Sequence, residues 1–172
     1  NLVVVGSFCR GRSQDFILKV VEHLQVQLRN KHVKIFFVGG TFPNEDYIYQ
    51  YCQQYIINHR IEDLAIMLGV RKDVYAILQH VDGFLYATLT DTFGIAVVEA
   101  MLSGLPVLTN DLPIMKEVTH DGAFALLYQS NNVDDCAIQL LDLIDHIEGY
   151  KIKAKAMTHK VRALYGIENH IV

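Results

Sequence analysis

The sequence has few of the residues that would point to a metal-bound or disulfide-bonded protein. It contains three cysteines in 172 residues, which lie far apart and form no CxxC pair. Neither a zinc knuckle nor a disulfide framework is expected, and we interpret the cysteines as reduced thiols of a cytoplasmic protein. The eight histidines are scattered without an HExxH pair, so we expect them on helix surfaces and loop ends and predict no metal site.

Long apolar runs and an excess of basic residues are also missing. No uncharged stretch approaches the ~20 residues that a transmembrane helix needs, and no signal segment opens the chain. The net charge of −4 gives no reason to expect binding to nucleic acid. The 51% of hydrophobic residues suffices for the core of one domain over residues 1–172. The chain begins with Asn1 directly in an apolar strand, which is typical of a piece excised from a longer protein.

Short apolar runs alternate with helical patterns along the chain. The predicted strands are Leu2–Val5, Val33–Val38, Leu64–Leu68, Phe84–Ala87, Val107–Thr109 and Phe124–Leu127. The predicted helices are Asp15–Leu28, Glu45–Ile57, Lys72–Gln79, Ile95–Leu102, Ile114–Val118, Asp134–Ile147 and Lys151–Leu164. Uninterrupted apolar strands that alternate with helices are typical of parallel sheets covered on both faces. We therefore predict an α/β fold with a doubly wound, mostly parallel, six-stranded Rossmann-like sheet and helices on both faces.

Ligands of such sheets bind beyond the carboxyl ends of the strands, where the winding reverses. Four loops follow predicted strands and become candidates for the site: Gly6–Ser13, Gly39–Pro43, Gly69–Asp73 and Thr88–Gly94.

The segment Asp91–Val107 carries the most chemical information. Its predicted helix is apolar on every face except at Glu99, and a carboxylate in a buried helix needs a hydrogen-bond partner or solvent. Glu99 therefore either faces a polar ligand in a cleft or lies on a single solvated stripe. Asp91 either binds a ligand or caps the helix. Free amides near Gly94 favour an anion, so the segment suits a diphosphate that bridges two polyols, as in a nucleotide sugar.

This segment resembles the signature of the retaining group 1 glycosyltransferases with the two-domain GT-B fold. That signature is an acidic residue, seven residues, then Glu-Ala-Met-x-x-Gly-x-Pro-Val, and Asp91, Glu99–Met101, Gly104 and Pro106–Val107 fit it. Weaker resemblances follow in the family's order over the rest of the chain: Val5–Gly6 with Arg12 and Asp15, Phe37–Gly40, Met67–Gly69, Val81–Phe84, Glu117–Val118 and Asp121–Gly122. The closing segment Tyr165–Val172 resembles the turn before the family's last helix.

The resemblance implies that the chain is the carboxyl-terminal, donor-binding half of such an enzyme. Glu99 would bind the ribose hydroxyls and Asp91 the donor sugar, while Arg12 would bind phosphate in place of the family's lysine. Arg12 and Asp91 are thus the implied catalytic residues. The other implied donor-binding positions are Gly6 and Ser7 in the first loop, Gly69 and Val70 beside the base, and the amides of Phe93, Gly94, Ile95 and Ala96.

The implied reaction transfers a sugar from a nucleotide diphosphate sugar to an acceptor hydroxyl with retention of configuration. Amides and Arg12 would stabilise the leaving diphosphate, so no cofactor and no divalent metal is expected. The resemblance further implies polysaccharide biosynthesis in the cytoplasm and an acceptor site in an amino-terminal domain outside this chain. Any peripheral membrane contact would come through that domain. Two positions depart from the family: Ser7 stands where arginine is frequent, with Arg10 as a nearby replacement, and Asp91 is shorter than the usual glutamate.

Three other interpretations remain at this point. Gly6–Ser13 reads G-x-x-x-x-G-R-S, one residue away from the phosphate-binding loop of kinases and triphosphatases, although arginine replaces the lysine and no apolar strand ends in an aspartate for magnesium. A dinucleotide oxidoreductase would need G-x-G-x-x-G in this loop, which is absent. The third is a non-catalytic nucleotide-binding or scaffolding module, which the serine at position 7 allows.

Overall fold

The structure is a computed structural model that describes residues 1–166, so residues 167–172 of the closing segment lie outside the described part. Within residues 1–166 the strands are β1 (Leu2–Val5), β2 (Ile35–Val38), β3 (Ala65–Gly69), β4 (Gly83–Tyr86), β5 (Val107–Asn110) and β6 (Leu126–Tyr128). The helices are α1 (Gln14–His23), α2 (Gln25–Asn30), α3 (Asp46–Asn58), α4 (Val74–His80), α5 (Ile95–Leu102), α6 (Pro113–Val118), α7 (Val133–Asp145) and α8 (Ile147–Tyr165).

The six strands form one sheet in the order β3-β2-β1-β4-β5-β6, and every neighbouring pair is parallel. This confirms the predicted doubly wound Rossmann-like sheet. The central strand β1 aligns Leu2 with Ile35 of β2 on one side and with Gly83 of β4 on the other. The chain winds outward from β1 to β3 and then returns to β4, so the winding reverses between the carboxyl ends of β1 and β4.

Side chains that alternate along each strand build two separate cores. In β1, Leu2 and Val4 pack with α1, α3 and α7 on one face, and Val3 packs with α4, α5 and α8 on the other. Because successive strand residues point to opposite faces, a sheet covered on both sides needs apolar residues at nearly every position. This requirement explains the continuous apolar strands of the sequence.

Element boundaries differ from the predictions at several places. The predicted first helix, Asp15–Leu28, is divided into α1 and α2 at Leu24, whose φ of −98° and ψ of 10° depart from α-helical values. Both Leu24 and Leu28 are buried, so the break keeps them on the core side as the chain turns toward β2. The last two helices are separated by His146 alone. In residues 1–166 no helix combines the length and apolarity required to cross a bilayer.

Candidate functional site

The loops after β1 and β4 are hydrogen-bonded to each other where the winding of the sheet reverses. The Gly11 carbonyl accepts the Thr88 hydroxyl at 2.6 Å and the Leu89 amide at 3.0 Å. These bonds bring Arg12 of the first loop beside Asp91 of the second, although the two residues are 79 positions apart in the chain. The structure thus joins two residues that the sequence singled out separately.

Asp91 is saturated by protein donors. Its Oδ2 accepts Arg12 Nη1 and the Tyr86 hydroxyl, while its Oδ1 accepts the amides of Phe93 and Gly94 at 3.2 and 3.0 Å. The Asp91 side chain is 7% exposed and that of Arg12 is 25% exposed. A carboxylate offers about four acceptor positions, and all of them are filled here. Asp91 therefore fixes the turn that precedes α5 and pairs with Arg12 at the same time.

The start of α5 retains two uncommitted amides. Gly94, at the N-cap, has a φ of +73°, a left-handed conformation that glycine adopts without strain. The amides of Ile95 and Ala96 donate to no acceptor within the described residues, and the Ile95 side chain is 65% exposed. Together with the helix dipole, these amides favour an anion. Of the four amides that the sequence analysis selected, these two are available, whereas those of Phe93 and Gly94 are bound to Asp91.

Glu99 occupies the opposite kind of environment. It is exposed, and nothing in residues 1–166 forms a hydrogen bond or an ion pair with its carboxylate. It lines a cleft of about 580 Å³ with Val5 at the end of β1 and with Val74 and Tyr75 at the start of α4. Both alternatives of the sequence analysis thus apply in part, because Glu99 is solvated and also faces a cleft. A second cavity, of about 140 Å³ beside β6 and α8, contains none of the predicted residues.

Gly69 and Val70 lie at the outer part of the same sheet edge. The Gly69 carbonyl accepts the Gly39 amide at 2.9 Å, and Val70 is 76% exposed. Next to them, Arg71 donates to Asp73 at 2.8 and 2.7 Å, and this guanidinium holds the pKa of Asp73 below its ordinary range. Arg71 is therefore paired with its neighbour, and Gly69 and Val70 line a cleft of about 490 Å³ together with the polar side chains of Asp46 and Gln50.

Gly6 and Ser7 form the beginning of the β1 loop. Gln14, which the sequence analysis did not single out, donates to the carbonyls of Gly6 at 3.2 Å and Ser7 at 3.0 Å. A side chain at Gly39 would place its Cβ 2.0 Å from the Gly6 carbonyl oxygen, so the β1 and β2 loops touch through their backbones. The β1 loop is therefore held by the Gln14 side chain and by the backbone of the β2 loop.

The loop after β1 does not resemble a phosphate-wrapping loop in its hydrogen bonding. The amides of Gly6 and Phe8 donate to carbonyls of the neighbouring β2 segment, and the Arg12 amide donates to Cys9. Phe8 is buried, with its ring against Tyr49. These amides already donate to carbonyl groups of the protein and are not available to a phosphate. The kinase or triphosphatase interpretation therefore finds no support in this loop.

Arg10, considered above as a replacement for the cation missing at Ser7, lies at the start of α3. Its Nε donates to the Tyr47 hydroxyl at 2.9 Å, and its amide donates to Glu45 at 3.3 Å. Within the β1 loop, Arg12 is thus the cation that lies where the winding of the sheet reverses.

The structure brings Arg12, Asp91 and the start of α5 together and places Glu99 at the second turn of that helix. The ligand contacts assigned to these residues remain predictions. The sequence analysis missed Tyr86, which touches both Arg12 and Asp91. A signal was present, since Tyr86 puts a hydroxyl at the end of an otherwise apolar strand, immediately before the loop.

Comparisons with known proteins identify the family and the fold. The chain is 27% identical over 170 residues to the gpi3 subunit of phosphatidylinositol N-acetylglucosaminyltransferase from Schizosaccharomyces pombe, which covers 96% of this chain and 35% of that protein. The structure of HepE from Anabaena in complex with UDP has a TM-score of 0.83 at 19% identity and covers 94% of this chain and 44% of that one. A TarM structure from S. aureus that contains UDP has a TM-score of 0.76 at 20% identity and covers 94% and 31%.

The chain spans about a third of the gpi3 subunit and less than half of the HepE chain. At such low identity the likeness to HepE and TarM shows the fold alone. The family is shown independently, because residues 1–146 match the family described as Glycosyl transferases group 1. The chain therefore belongs to the group 1 glycosyl transferases.

Proposed function

We propose that this chain is the donor-binding part of a retaining glycosyltransferase that moves a sugar from a nucleotide diphosphate sugar to an acceptor hydroxyl. The observation that carries the proposal is the set of polar groups at the carboxyl edge of the sheet, where the winding reverses between β1 and β4. Arg12 and the free amides of Ile95 and Ala96 lie there, and α5 also carries the unpaired carboxylate of Glu99. Cationic and amide donors suit a diphosphate, and an acceptor-only carboxylate suits ribose hydroxyls.

The chemistry follows from where charge develops. Cleavage of the bond between sugar and diphosphate leaves negative charge on the departing diphosphate, and donors that are already oriented stabilise it without reorganisation. Arg12 uses one N–H for Asp91, and its other guanidinium donors have no acceptor in residues 1–166. For Asp91, direct binding of a sugar hydroxyl requires that the hydroxyl replace one of the four present donors. Its present contacts support a role in orienting Arg12.

We propose that the reaction needs no cofactor and no divalent metal. The described residues contain no group of three or more His, Cys, Asp and Glu side chains arranged to hold a metal, and the diphosphate charge would be met by Arg12 and the α5 amides. The check is a donor-binding titration with and without a chelator. Equal affinities are expected, and a loss with the chelator would show that a metal takes part.

A second domain that carries the acceptor site is part of the proposal. Large apolar side chains are exposed in the loops and helix starts along the carboxyl edge of the sheet, namely Phe42, Val70, Tyr75, Leu89, Phe93 and Ile95. Exposed apolar groups along one edge provide area that a second domain can cover. We expect the 172-residue chain alone to show negligible sugar transfer, and robust turnover by it would contradict a two-domain enzyme. The cytoplasm is the proposed location and polysaccharide assembly the proposed process. Any peripheral membrane contact would come through the second domain.

The test is isothermal titration of the 172-residue chain with a panel of nucleoside diphosphates and their sugars. UDP and UDP-glucose come first because HepE has been crystallised with both. We expect at least one nucleoside diphosphate to bind, and at 100 times its Kd to stabilise the fold by about 2.7 kcal/mol. If none binds at millimolar concentration, the proposal is wrong and a non-catalytic scaffolding module becomes the better interpretation.

A further inference from the structure

Tyr86 is a buried polar residue for which the reaction outlined above has no role. It is the last residue of β4 and is 1% exposed. Its ring stacks on Phe84 with a centroid distance of 6.1 Å and an interplanar angle of 19°. Its backbone carbonyl accepts the Tyr128 hydroxyl at 3.0 Å. Tyr86 is therefore fixed by the sheet and by the core behind it, whereas Arg12 and Asp91 are held by loops.

Tyr86 contacts both members of the ion pair. Its hydroxyl donates to Asp91 Oδ2, the oxygen that also accepts Arg12 Nη1. Its ring centroid lies 5.0 Å from the guanidinium carbon of Arg12, within the range of a cation–π contact. A single rigid side chain thus touches the acceptor and the cation at once.

The hydroxyl of Tyr86 limits how many N–H groups of Arg12 can donate to Asp91. Oδ1 is filled by the amides of Phe93 and Gly94, and Oδ2 has room for about two donors. With the hydroxyl in one position, Arg12 donates a single N–H. Without it, that position on Oδ2 is open, and the guanidinium can place a second N–H there.

We propose that Tyr86 is a positioning residue that keeps the remaining N–H donors of Arg12 available for the diphosphate of the donor. This inference rests on the proposed function, because it assigns a second residue to the same phosphate position. Tyr86 does not touch the ligand in this scheme. It acts through Asp91, by competing with Arg12 for one oxygen.

The test compares Tyr86→Phe with the unaltered chain by isothermal titration with UDP, uridine and inorganic pyrophosphate. Phenylalanine keeps the ring and its packing and removes only the hydroxyl. We expect UDP and pyrophosphate to bind five- to tenfold more weakly and uridine to bind equally well. A merely structural defect would weaken all three ligands in parallel, and that result would overturn the proposal. Tyr150→Phe is the matched control, because its hydroxyl also donates to a carboxylate, that of Asp142; we expect it to change none of the affinities.

A double variant tests the route through Asp91. In the Asp91→Asn background the charge that draws Arg12 is gone, so adding Tyr86→Phe should change UDP affinity by less than twofold. If Tyr86→Phe costs the same factor in both backgrounds, Tyr86 does not act through Asp91 and the proposal is wrong.

The outcomes also distinguish the proposed function from the proposed role of Tyr86. An unaltered chain that binds no nucleoside diphosphate of the panel overturns the proposed function, whereas normal binding by both the unaltered chain and Tyr86→Phe overturns only the role of Tyr86.

Discussion

Two carboxylates eight residues apart, Asp91 and Glu99, have opposite surroundings. Asp91 is almost fully buried and accepts four hydrogen bonds from the protein. Glu99 is exposed in a cleft and accepts none from the described residues. Burying an ionised carboxylate costs several kcal/mol unless donors compensate, roughly as they do around Asp91. No such cost arises for Glu99, which remains in water.

The two carboxylates therefore have different roles in the site: Asp91 supports the structure of the loops, and Glu99 is open to a ligand. A carboxylate whose acceptor positions are filled contributes to the shape and charge of the loops, because its donors cannot move independently. A carboxylate left open can exchange water for ligand hydroxyls at little cost to the fold. We therefore expect substitutions at Asp91 to affect stability first and those at Glu99 to affect binding first.

The largest expected effect comes from Asp91→Ala. The change leaves Arg12, the Tyr86 hydroxyl and two amides without their acceptor in a partly buried place, so the free energy of unfolding should fall by about 2–3 kcal/mol. Urea unfolding monitored by circular dichroism measures it. The control is Asp145→Ala, which removes an exposed partner of Lys31 and should cost less than about 1 kcal/mol. Equal losses for the two variants would show that Asp91 is not the structural carboxylate described here.

Glu99→Ala should give the reverse result. Because Glu99 has no partner among the described residues, the free energy of unfolding should change by no more than about 0.5 kcal/mol. Loss of a charged acceptor for two hydroxyls should weaken UDP binding about tenfold, equivalent to about 1.4 kcal/mol. The matched control is Glu62→Ala, another exposed glutamate, located before β3 and away from the carboxyl edge. If UDP affinity is unchanged in Glu99→Ala, the cleft beside α5 is not the ribose site.

The sequence was sufficient for the sheet and for the segments that meet at its edge. Continuous apolar strands such as Leu2–Val5 and the loops that follow them predict a doubly wound sheet, and the rules of chain connection leave few strand orders for it. The break at Leu24 could not be predicted, because it depends on how the helix must turn to keep Leu24 and Leu28 in the core.

Within the site, residue types were predictable but their pairing was not. Arg12 and Asp91 were each assigned to a ligand, whereas the structure shows them bound to each other across 79 positions. Such a contact depends on the bonds between two loops, which no local pattern encodes. Tyr86 was missed because a tyrosine at the end of an apolar strand looks like part of the core, and its ring is indeed buried there.

Asp111 provides an intermediate case and the smallest expected effect. It accepts the Ser130 amide at 2.9 Å and the Ser130 hydroxyl at 2.8 Å, and its side chain is 35% exposed. These hydrogen bonds, led by that of the Ser130 amide, lower the pKa of Asp111. A carboxylate whose pKa is lowered in the folded state stabilises the fold above its unfolded pKa of about 3.9, and the contribution is lost as the pH falls through the lower, folded value.

The corresponding variant is Asp111→Asn, and its effect should stay below about 1 kcal/mol because solvent screens a partly exposed group. In urea unfolding at pH 7 the variant should be slightly less stable than the unaltered chain, and the difference should shrink once the pH falls below about 4. A difference that stays constant down to pH 3 would show that charge on Asp111 contributes nothing. Asp91, Asp111 and Glu99 would then no longer form a graded series in which the stability contributed by a carboxylate follows the number of protein donors it has.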